Sequence, residues 1–183
     1  MDVTQIEHTG PWTVEEVLAL PESPHGRVEL VGGALLLSPD PGLPHRRAAL
    51  RLAMLLSLAV DEAQAPLEVL EAVRLRVPDG LLVPDLVIAG GAGAGPALGA
   101  EEAAVVVEIA SPATRVADRK LKPALYAAAG IPHYWRVELD PVPRFHLGRL
   151  DGGRYADRLV QLGESTDLDD PFPLDLDPAA LHR

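Results

Sequence analysis

The spacing of apolar positions in the first third of the chain predicts a helix, a hairpin and a second helix. A threonine that can cap a helix, followed three residues later by a glutamate, predicts a short helix over Thr13–Leu20. Two β-prone runs, Arg27–Val31 and Ala34–Ser38, surround the pair Gly32-Gly33, and this pattern is typical of a β-hairpin. From His45 to about Ala63, apolar residues recur at helical spacing, which predicts one amphipathic helix.

The middle of the chain has the pattern of the centre of a sheet. Val69–Val77 alternates apolar and polar positions, as expected for a strand with one solvated face. Leu81–Ala89 and Ala103–Ile109 are almost entirely apolar, which predicts strands that are buried on both faces. Val116–Ala129 reads as a helix that ends at Gly130. Short strands are then expected at His133–Leu139, Arg144–Leu150 and Arg154–Gln161. This order favours an α/β fold in which helices cover a mixed sheet.

The chain length and the ends of the chain bound the domain organisation. A chain of 183 residues favours one domain, which we expect to span residues 1–163. Six acidic residues crowd residues 164–183, so we expect this segment to be a poorly ordered or loosely docked acidic tail. The first ten residues carry acids where an export signal would carry bases, and the apolar runs are shorter than the roughly 20 residues that span a bilayer. We therefore expect no export and no membrane.

Charge and cysteine content narrow the choice of partner and compartment. Sixteen basic and 27 acidic residues give a net charge of −11, which opposes nonspecific coating of nucleic acid. The charges are uneven, because all three charged residues of Pro41–Val60 are arginines and Ser111–Arg136 holds five bases and one acid. A basic surface of limited area is therefore compatible with the sequence. The chain has no cysteine, which excludes disulfides and thiol nucleophiles and favours a cytoplasmic location.

Two carboxylates occupy costly places in the apolar runs. Asp85 lies within Leu81–Ala89, and Glu108 lies near the end of Ala103–Ile109. A buried carboxylate must be paired, protonated or bound to a cation, because losing its hydration without a partner costs several kcal/mol. If the two strands are neighbours, about 4.8 Å apart, the two side chains can converge on one ion. Carboxylate oxygens suit Mg²⁺ or Mn²⁺, and such ions keep several water molecules for a phosphate substrate.

A basic group follows closely along the chain. Lys120 and Lys122 are the only lysines, and Asp118, Lys122 and Tyr126 have the spacing that places side chains on one face of a helix. Two carboxylates, a divalent ion and an ammonium group are sufficient for phosphodiester hydrolysis. The ion lowers the pKa of the attacking water, while the lysine orients that water or offsets charge on the phosphoryl oxygens.

Several of these motifs occur together in one known family. The quoted segments are Trp12-Thr13-Val14-Glu15-Glu16, Arg27-Val28-Glu29-Leu30-Val31-Gly32-Gly33, Pro44-His45-Arg46, Pro84-Asp85, Val105-Val106-Val107-Glu108-Ile109-Ala110-Ser111-Pro112, Asp118-Arg119-Lys120-Leu121-Lys122 and Gly130-Ile131-Pro132-His133-Tyr134-Trp135. In order and spacing, from about Trp12 to Leu150, they resemble the bacterial Uma-two family of restriction endonucleases, a branch of the PD-(D/E)xK nuclease superfamily. The resemblance implies a restriction-endonuclease-like mixed β-sheet flanked by helices, with an N-terminal helix and hairpin and C-terminal strands. It also implies an Mg²⁺- or Mn²⁺-dependent endonuclease that acts on nucleic acid, with DNA as the expected substrate.

The resemblance assigns roles to four residues. Asp85 and Glu108 would bind the metal, Glu29 would be the acid of the first motif, and Lys122 would be the catalytic lysine. The superfamily pattern places a lysine two residues after the third-motif acid, where this chain has Ala110, so the lysine function moves to the following helix. Pro123 constrains that helix, because proline disfavours helical geometry at the residue before it and is tolerated only in a first turn.

Each assignment has an alternative. Glu29 is equally compatible with an ion pair to Arg27 or to another arginine, and Lys122 is compatible with an exposed position on a helix. Asp85 and Glu108 are compatible with ion pairs to an arginine, for which the candidates are Arg74, Arg76 and Arg115. Four residues are candidates for contacting a substrate, and they are His45, Arg46, Arg115 and Tyr126; of these, a tyrosine is more often a core residue.

Two further hypotheses concern the whole chain. Ala110, Pro123 and the net charge of −11 also fit a catalytically inactive, nuclease-like module retained for binding or assembly. A third hypothesis is a structural oligomer whose buried acids pair with arginines. Homodimerisation is compatible with each of them, since many nucleases pair two sites across a two-fold axis.

Overall fold

The computed structural model of the chain describes residues 8–21, 23, 26–91 and 93–181. Residues 1–7, which begin the expected domain and carry most of the acidic N-terminal segment, lie outside this range. The last two residues of the expected tail, 182 and 183, also lie outside it. Within these described residues there are three α-helices, and they are α1 (Val14–Ala19), α2 (Leu43–Glu62) and α3 (Lys122–Ala128).

In the part of the chain that the structure describes, thirteen strands form two large sheets and a small one. The strands are β1 (Arg27–Val31), β2 (Ala34–Ser38), β3 (Glu68–Glu71), β4 (Leu75–Val77), β5 (Gly80–Leu82), β6 (Leu86–Ala89), β7 (Leu98–Gly99), β8 (Ala103–Ala110), β9 (His133–Glu138), β10 (Arg144–Asp151), β11 (Arg154–Gln161), β12 (Thr166–Leu168) and β13 (Leu174–Leu176). The five-stranded sheet has the order β2-β1-β5-β4-β7, and the six-stranded sheet has the order β11-β10-β9-β8-β6-β3. Because β8 and β9 run parallel while the other pairs of the six-stranded sheet are antiparallel, the predicted mixed α/β architecture is confirmed.

The elements predicted for the first third of the chain are confirmed. Thr13 caps α1, and its side chain and that of Glu16 form a reciprocal capping box. Strands β1 and β2 pair in the register Val31↔Ala34 around two glycines, whose φ angles of 56° and 81° are accessible to glycine at low cost. Helix α2 buries one face against the six-stranded sheet through residues spaced three and four apart.

Two segments expected to be single strands are each divided between the sheets. Val69–Val77 breaks at Ala72, whose φ of 52° is incompatible with a strand, so β3 belongs to the larger sheet and β4 to the smaller one. Leu81–Ala89 breaks at Pro84-Asp85, so β5 and β6 are likewise in different sheets. The expectation that Asp85 lies inside a continuous strand is therefore wrong: it occupies the bend where the chain crosses between sheets.

The acidic C-terminal segment is docked, not loose. Phe172, Leu174, Leu176 and Leu181 are buried and belong to the same apolar cluster as the inner face of α2. The acidic residues alternate with these apolar ones and face solvent. The prediction of a loosely docked tail is thus wrong for residues 166–181. It was based on the acidic composition alone, whereas the acids alternate with apolar residues in a strand pattern that buries the apolar side.

The protein core has two main parts. One cluster lies between α2 and one face of the six-stranded sheet, and the other fills the space between the opposite face of that sheet, α3 and the strands of the smaller sheet. Within the described residues, no helix combines the length and the apolar character that crossing a membrane requires. The bend at Asp85 and the adjacent end of β8 lie at the border of these two clusters, because neither cluster includes Asp85 or Glu108.

Candidate active site

A pocket of about 260 Å³ opens where the two sheets, the start of α2 and the start of α3 meet. The hairpin β1–β2, the loop before α2, the Asp85 bend, the end of β8 and α3 all contribute to its wall. The charged or imidazole-bearing residues that line it are Arg27, Asp40, His45, Asp85, Glu108 and Lys122. The pocket therefore collects side chains from segments that are up to 95 positions apart in the sequence, from Arg27 to Lys122.

Asp85 and Glu108 are brought together by strand pairing. Strands β6 and β8 are antiparallel neighbours, and their register pairs Leu86 with Val107. Asp85 precedes β6, so the same register places it beside Glu108. The backbone N–H of Ile109 donates to Oδ2 of Asp85 at 2.8 Å, which fixes the carboxylate against the end of β8. The adjacency of these two acids, which was the condition for a shared ion, is therefore present in the structure.

Asp85 carries two side-chain partners in addition to that backbone contact. Arg27 donates from Nη1 to Oδ1 at 2.6 Å, and His45 donates from Nε2 to Oδ2 at 3.1 Å. Burial would raise the pKa of Asp85, but His45, Arg27 and the Ile109 N–H together lower it. Asp85 is consequently an ionised carboxylate whose charge is met by an arginine.

Lys122 joins two of the predicted site acids. Its Nζ lies 2.8 Å from Oε1 of Glu108 and 3.1 Å from Oε1 of Glu29. Glu29, which is fully buried, also accepts the Val83 backbone N–H at 2.8 Å and the Ser38 hydroxyl at 3.3 Å. Lys122 is 4 % exposed, so the alternative of a solvated helix lysine does not describe it. The other lysine, Lys120, is exposed and faces away from this pocket.

The helix that carries Lys122 starts with an unusual turn. Residues Ala117–Leu121 form a π-helical turn, and α3 continues from Lys122 with Pro123 in its first turn. A proline ring conflicts with the carbonyl four residues before it in a regular α-helix, and a wider turn at this point relieves that conflict. The spacing of Asp118, Lys122 and Tyr126 on one face is preserved, with Lys122 Nζ 3.9 Å from Asp118 Oδ1.

The electrostatics of the site show a deficit of positive charge. Burial, opposed by Lys122 and assisted by the neighbouring acids, raises the pKa of Glu108 to about 8. Burial also raises the pKa of Asp118, again against the influence of Lys122. The pKa of Lys122 is raised, because the attraction of Glu108, Glu29 and Asp118 outweighs the cost of burial. Four carboxylates thus share Lys122 and Arg27 as their fixed positive charges.

The donor set of this pocket fits a divalent cation held by two carboxylates. Glu108 accepts Lys122 and Tyr126 with Oε1, while its Oε2 accepts no hydrogen bond from the described residues. Burial raises the pKa of Glu108 more than Lys122 lowers it, so a bound cation would stabilise the charged carboxylate. No group of three or more acidic, histidine or cysteine side chains in the described ranges is arranged as a complete metal cage. The fit is therefore to an ion that keeps most of its water, as Mg²⁺ and Mn²⁺ do.

The four candidate substrate contacts have different locations. His45 lines the pocket, and its Nδ1 is buried with no hydrogen-bond partner among the described residues. Arg46 and Arg115 are exposed and lie 3.8 Å from Asp40 and Asp140 respectively. Tyr126 is fully buried, and its hydroxyl donates to Glu108 at 2.7 Å, which places it behind the carboxylate and away from the opening of the pocket.

The arginine that pairs with Asp85 is Arg27, which was not among the candidates expected for Asp85 and Glu108. Arg74 donates to the Leu18 carbonyl, and Arg76 binds Glu15 on the surface. Neither reaches Asp85 or Glu108, and Arg27 binds Asp85 where the sequence suggested Glu29. Arg27 was missed as a partner of Asp85 although it lies two positions before Glu29 on β1, and alternation along a strand places such residues on one face.

Comparison with known proteins agrees with this geometry. A family model described as Uma2, "Putative restriction endonuclease", matches residues 14–181. The chain belongs to the Uma2 family. No curated protein matches it. A crystal structure of "a putative nuclease belonging to DUF820 from Anabaena variabilis ATCC 29413" has 17 % sequence identity, covers 93 % of this chain and 97 % of that one, and superposes with a TM-score of 0.75.

Family membership confirms the resemblance seen in the sequence motifs. The match to the Anabaena structure independently supports the fold, since it extends over almost the full length of both chains. As an Uma2-family chain, this protein has a nuclease-like fold in which Asp85, Glu108 and Lys122 line one pocket, and the fourth residue assigned by resemblance, Glu29, is buried behind it and binds Lys122. Their chemical roles are the subject of the proposal that follows.

Proposed function

We propose that this protein is a metal-dependent nuclease that hydrolyses phosphodiester bonds of nucleic acid, with DNA as the expected substrate and Mg²⁺ or Mn²⁺ as the cofactor. One observation carries the proposal. Lys122 lies within 2.8 Å of Glu108 in a pocket that Asp85 also lines, and the site has more carboxylates than fixed cations. Membership of a restriction-endonuclease family supports the same reaction class.

Asp85 and Glu108 would hold the ion, and Lys122 would act on the attacking water or on the phosphate. A bound divalent ion would lower the pKa of a water molecule and screen the charge of the phosphate. The Lys122 ammonium group stays charged because three carboxylates surround it, so it can donate hydrogen bonds to an oxygen but cannot serve as a base. Phosphoryl oxygens that gain charge during hydrolysis are stabilised by such a donor.

Glu29 acts on the reaction through Lys122. Its carboxylate is fully buried and binds the ammonium group, a backbone N–H and a hydroxyl at once, so it holds Lys122 at a fixed distance from Glu108. Glu29 is a positioning residue in this proposal. His45 has a comparable relationship to Asp85, because it donates to the oxygen that the Ile109 N–H also contacts.

The substrate would enter from the side of the loops that flank the pocket. Residues 39–42 and 111–114 line the opening, and they are followed directly by the arginines Arg46 and Arg115 within a few positions. Both guanidinium groups reach solvent and lie 3.8 Å from their acids, and Arg46 also donates from Nε to the Pro41 carbonyl at 2.9 Å. Their remaining N–H groups would exchange these distant acids for backbone phosphates, despite the negative charge of the whole chain.

The Arg27–Asp85 ion pair favours a second candidate function. In this arrangement Arg27 occupies an oxygen that would otherwise bind a metal, as expected for a nuclease-like module that binds nucleic acid or a partner without cutting. The two candidates differ in whether a divalent ion replaces Arg27 at Asp85.

Calorimetric titration with Mn²⁺ tests both candidates before any substrate is chosen. We expect the wild-type chain to bind Mn²⁺, and Asp85→Asn and Glu108→Gln to lose that binding. Asp140→Asn is the matched control, because Asp140 is an exposed acid outside the pocket. If the wild-type chain does not bind Mn²⁺, the nuclease proposal is wrong.

Cleavage assays then separate the two functions. With Mg²⁺ or Mn²⁺ present, wild-type protein should cut DNA, and parallel assays with RNA determine the nucleic-acid preference. Lys122→Met should retain Mn²⁺ binding but lose cleavage by about 10²-fold or more, as for the loss of one transition-state donor. Mn²⁺ binding without cleavage of any DNA or RNA substrate would support the binding module and contradict the nuclease.

A further inference from the structure

Helix α2 carries a second apolar face that the fold leaves uncovered. Among the described large apolar side chains, five are more than half exposed, and four of them lie on this helix: Leu43 (67 %), Leu50 (59 %), Met54 (59 %) and Leu58 (61 %). The opposite face of α2 is buried in the main core through residues such as Leu52 and Leu56. A surface helix normally presents polar residues to water, so an exposed apolar stripe of this kind indicates a contact surface.

Charges of opposite sign flank the part of the stripe that is formed by Leu50, Met54 and Leu58. At 3.6 residues per turn, Arg47 and Asp61 fall within the same sector of about 80° as the four apolar residues. The charged residues of the first part of the helix are all arginines, and those of its last turn are the acids Asp61 and Glu62. From Arg47 to Glu62, the exposed face of α2 is therefore first basic, then apolar and finally acidic.

A groove continues this surface beside the second half of the helix. It has a volume of about 660 Å³ and lies between α2 and the small sheet formed by β12 and β13. Its apolar floor includes Leu55, Leu58 and Leu174, and none of the residues that line it is basic. Four acids line it, and they are Glu62, Asp167, Asp169 and Asp175. The groove suits an apolar segment that carries positive charge.

We propose that this surface binds a second copy of the same chain, with the two α2 helices packed antiparallel about a two-fold axis at Met54. In this register Met54 faces Met54, Leu50 faces Leu58, and Arg47 faces Asp61. Each contact occurs twice, which is the self-complementarity that a two-fold interface requires. A parallel arrangement would instead place the arginines of both copies at one end and the acids at the other.

In the same antiparallel dimer, the groove beside α2 would be filled by the first half of the partner's α2 helix. On a helical wheel Arg47 and Arg51 project to the same side of the stripe as Leu58 and Glu62, which line the groove. The two-fold axis retains that side, so Arg47 of one copy reaches the acidic rim of the other. Arg51 lies on the same side, although its Nη1 also donates to the Leu181 carbonyl of its own chain at 3.4 Å. Charge complementarity therefore selects the second copy as the occupant.

The dimer would place the two candidate active sites far apart. His45, near the start of α2, lines the active-site pocket, and it is nine residues from Met54. At about 1.5 Å per residue, the two His45 positions are about 27 Å apart along the helix axis. The dimer itself does not depend on any chemistry in that pocket, so it can be tested whether or not the protein is a nuclease.

Light scattering coupled to size-exclusion chromatography tests the association. We expect wild-type protein to have twice the chain mass of 19.5 kDa, and Met54→Asp to have the mass of a single chain. The substitution brings two carboxylates together at the axis, and it is made at an exposed position, so the fold should be retained. Leu159→Asp, at an exposed apolar position on β11, is the matched control and should leave the mass unchanged.

Charge reversal tests the register. Arg47→Asp and Asp61→Arg should each weaken the dimer, and the double variant should restore it. An acid near the start of a helix and a base near its end suit the helix dipole, so neither single change should weaken α2 itself. If the wild-type chain is monomeric, or if the double variant dissociates more than the single ones, the proposed interface is wrong.

A single introduced thiol gives a further measurement. The chain has no cysteine, so Met54→Cys would place one thiol in each copy at the axis, where facing helices are close enough for a disulfide. We expect oxidation to convert Met54→Cys to a covalent dimer, and Val116→Cys, exposed elsewhere on the surface, to stay monomeric in denaturing gels. Equal cross-linking of both variants would contradict the interface.

Discussion

The Nη1 atom of Arg27 lies 2.6 Å from Oδ1 of Asp85, at the bend where the chain passes from the smaller sheet to the larger one. A guanidinium group and a divalent ion compete for that oxygen, because both are positively charged. Arg27 is 24 % exposed and also donates to the Val83 carbonyl, so it has another partner and access to solvent when an ion displaces it. The ion pair is thus a competitor for the metal in the proposed site.

Arg27→Met should strengthen Mn²⁺ binding. The variant removes the competing cation and leaves Asp85 with excess negative charge, so the metal-free protein should lose stability and gain more from added Mn²⁺ than wild type does. Isothermal titration and thermal unfolding with and without Mn²⁺ measure these effects. Arg76→Met is the control, because Arg76 pairs with Glu15 on the surface. Weaker Mn²⁺ binding by Arg27→Met would contradict the competition.

Removing Lys122 should cost more stability than replacing Glu108 by glutamine. In Lys122→Met, Glu29, Glu108 and Asp118 all lose their shared cation while they remain buried, and breaking such a pair typically costs about 3–5 kcal/mol. In Glu108→Gln, Lys122 keeps Glu29 and Asp118. Urea unfolding in metal-free buffer measures both variants, and the combination of both substitutions should be less damaging than the sum. Equal costs would mean that Lys122 is not the centre of this cluster.

The sequence predicts local features of this site better than its long-range pairings. The spacing of Asp118, Lys122 and Tyr126 is a local property of a helix, and all three remain on one face even though the first turn is π-helical. The partner of Asp85 depends on how β1 packs against the bend 58 positions later, which no local pattern specifies. The identification of the acids was therefore accessible from sequence, but the presence of Arg27 was not.

In the fold as well, elements with strong local patterns were predicted, and features that depend on long-range packing were not. The hairpin around Gly32-Gly33 and the helix that follows it have strong local patterns and are present as predicted. The break at Ala72 was not visible, because the apolar alternation continues through it while the backbone turns to a positive φ. Division of Val69–Val77 between two sheets is decided by tertiary packing, which overrides a continuous strand pattern.

Glu138 should make stability depend on pH in the acid range. This buried carboxylate, at the end of β9, accepts hydrogen bonds from Arg119, Arg136 and Arg144. Burial acts to raise its pKa, but Arg144 and Arg119 outweigh it and lower the pKa from 4.5 to about 2. Because the folded-state value is the lower one, the stabilisation is complete above pH 4.5 and is lost as the pH falls from 4.5 toward 2.

Denaturant unfolding over this pH range, compared between wild type and Glu138→Gln, isolates that contribution. The variant should be less stable at neutral pH, and its stability should fall less steeply below pH 4.5. Asp140→Asn, two positions later and exposed, should leave the profile unchanged. Parallel profiles for Glu138→Gln and wild type would show that the arginines do not hold Glu138 ionised.

Glu138→Gln should also affect activity. Since Arg119 precedes Lys122 by three residues, the variant should reduce any activity that depends on the position of Lys122.

Leu176→Ala should be strongly destabilising although it lies in an acidic segment near the C-terminus. Leu176 is fully buried in the cluster that covers α2, so truncating it should cost about 2–5 kcal/mol through lost burial and a cavity. Asp175→Ala, at the exposed neighbouring position, should change stability by about 0.5 kcal/mol or less. Thermal and urea unfolding compare the two. If both substitutions have the same small effect, the segment is not packed on α2, and the groove that the proposed dimer uses would be absent as well.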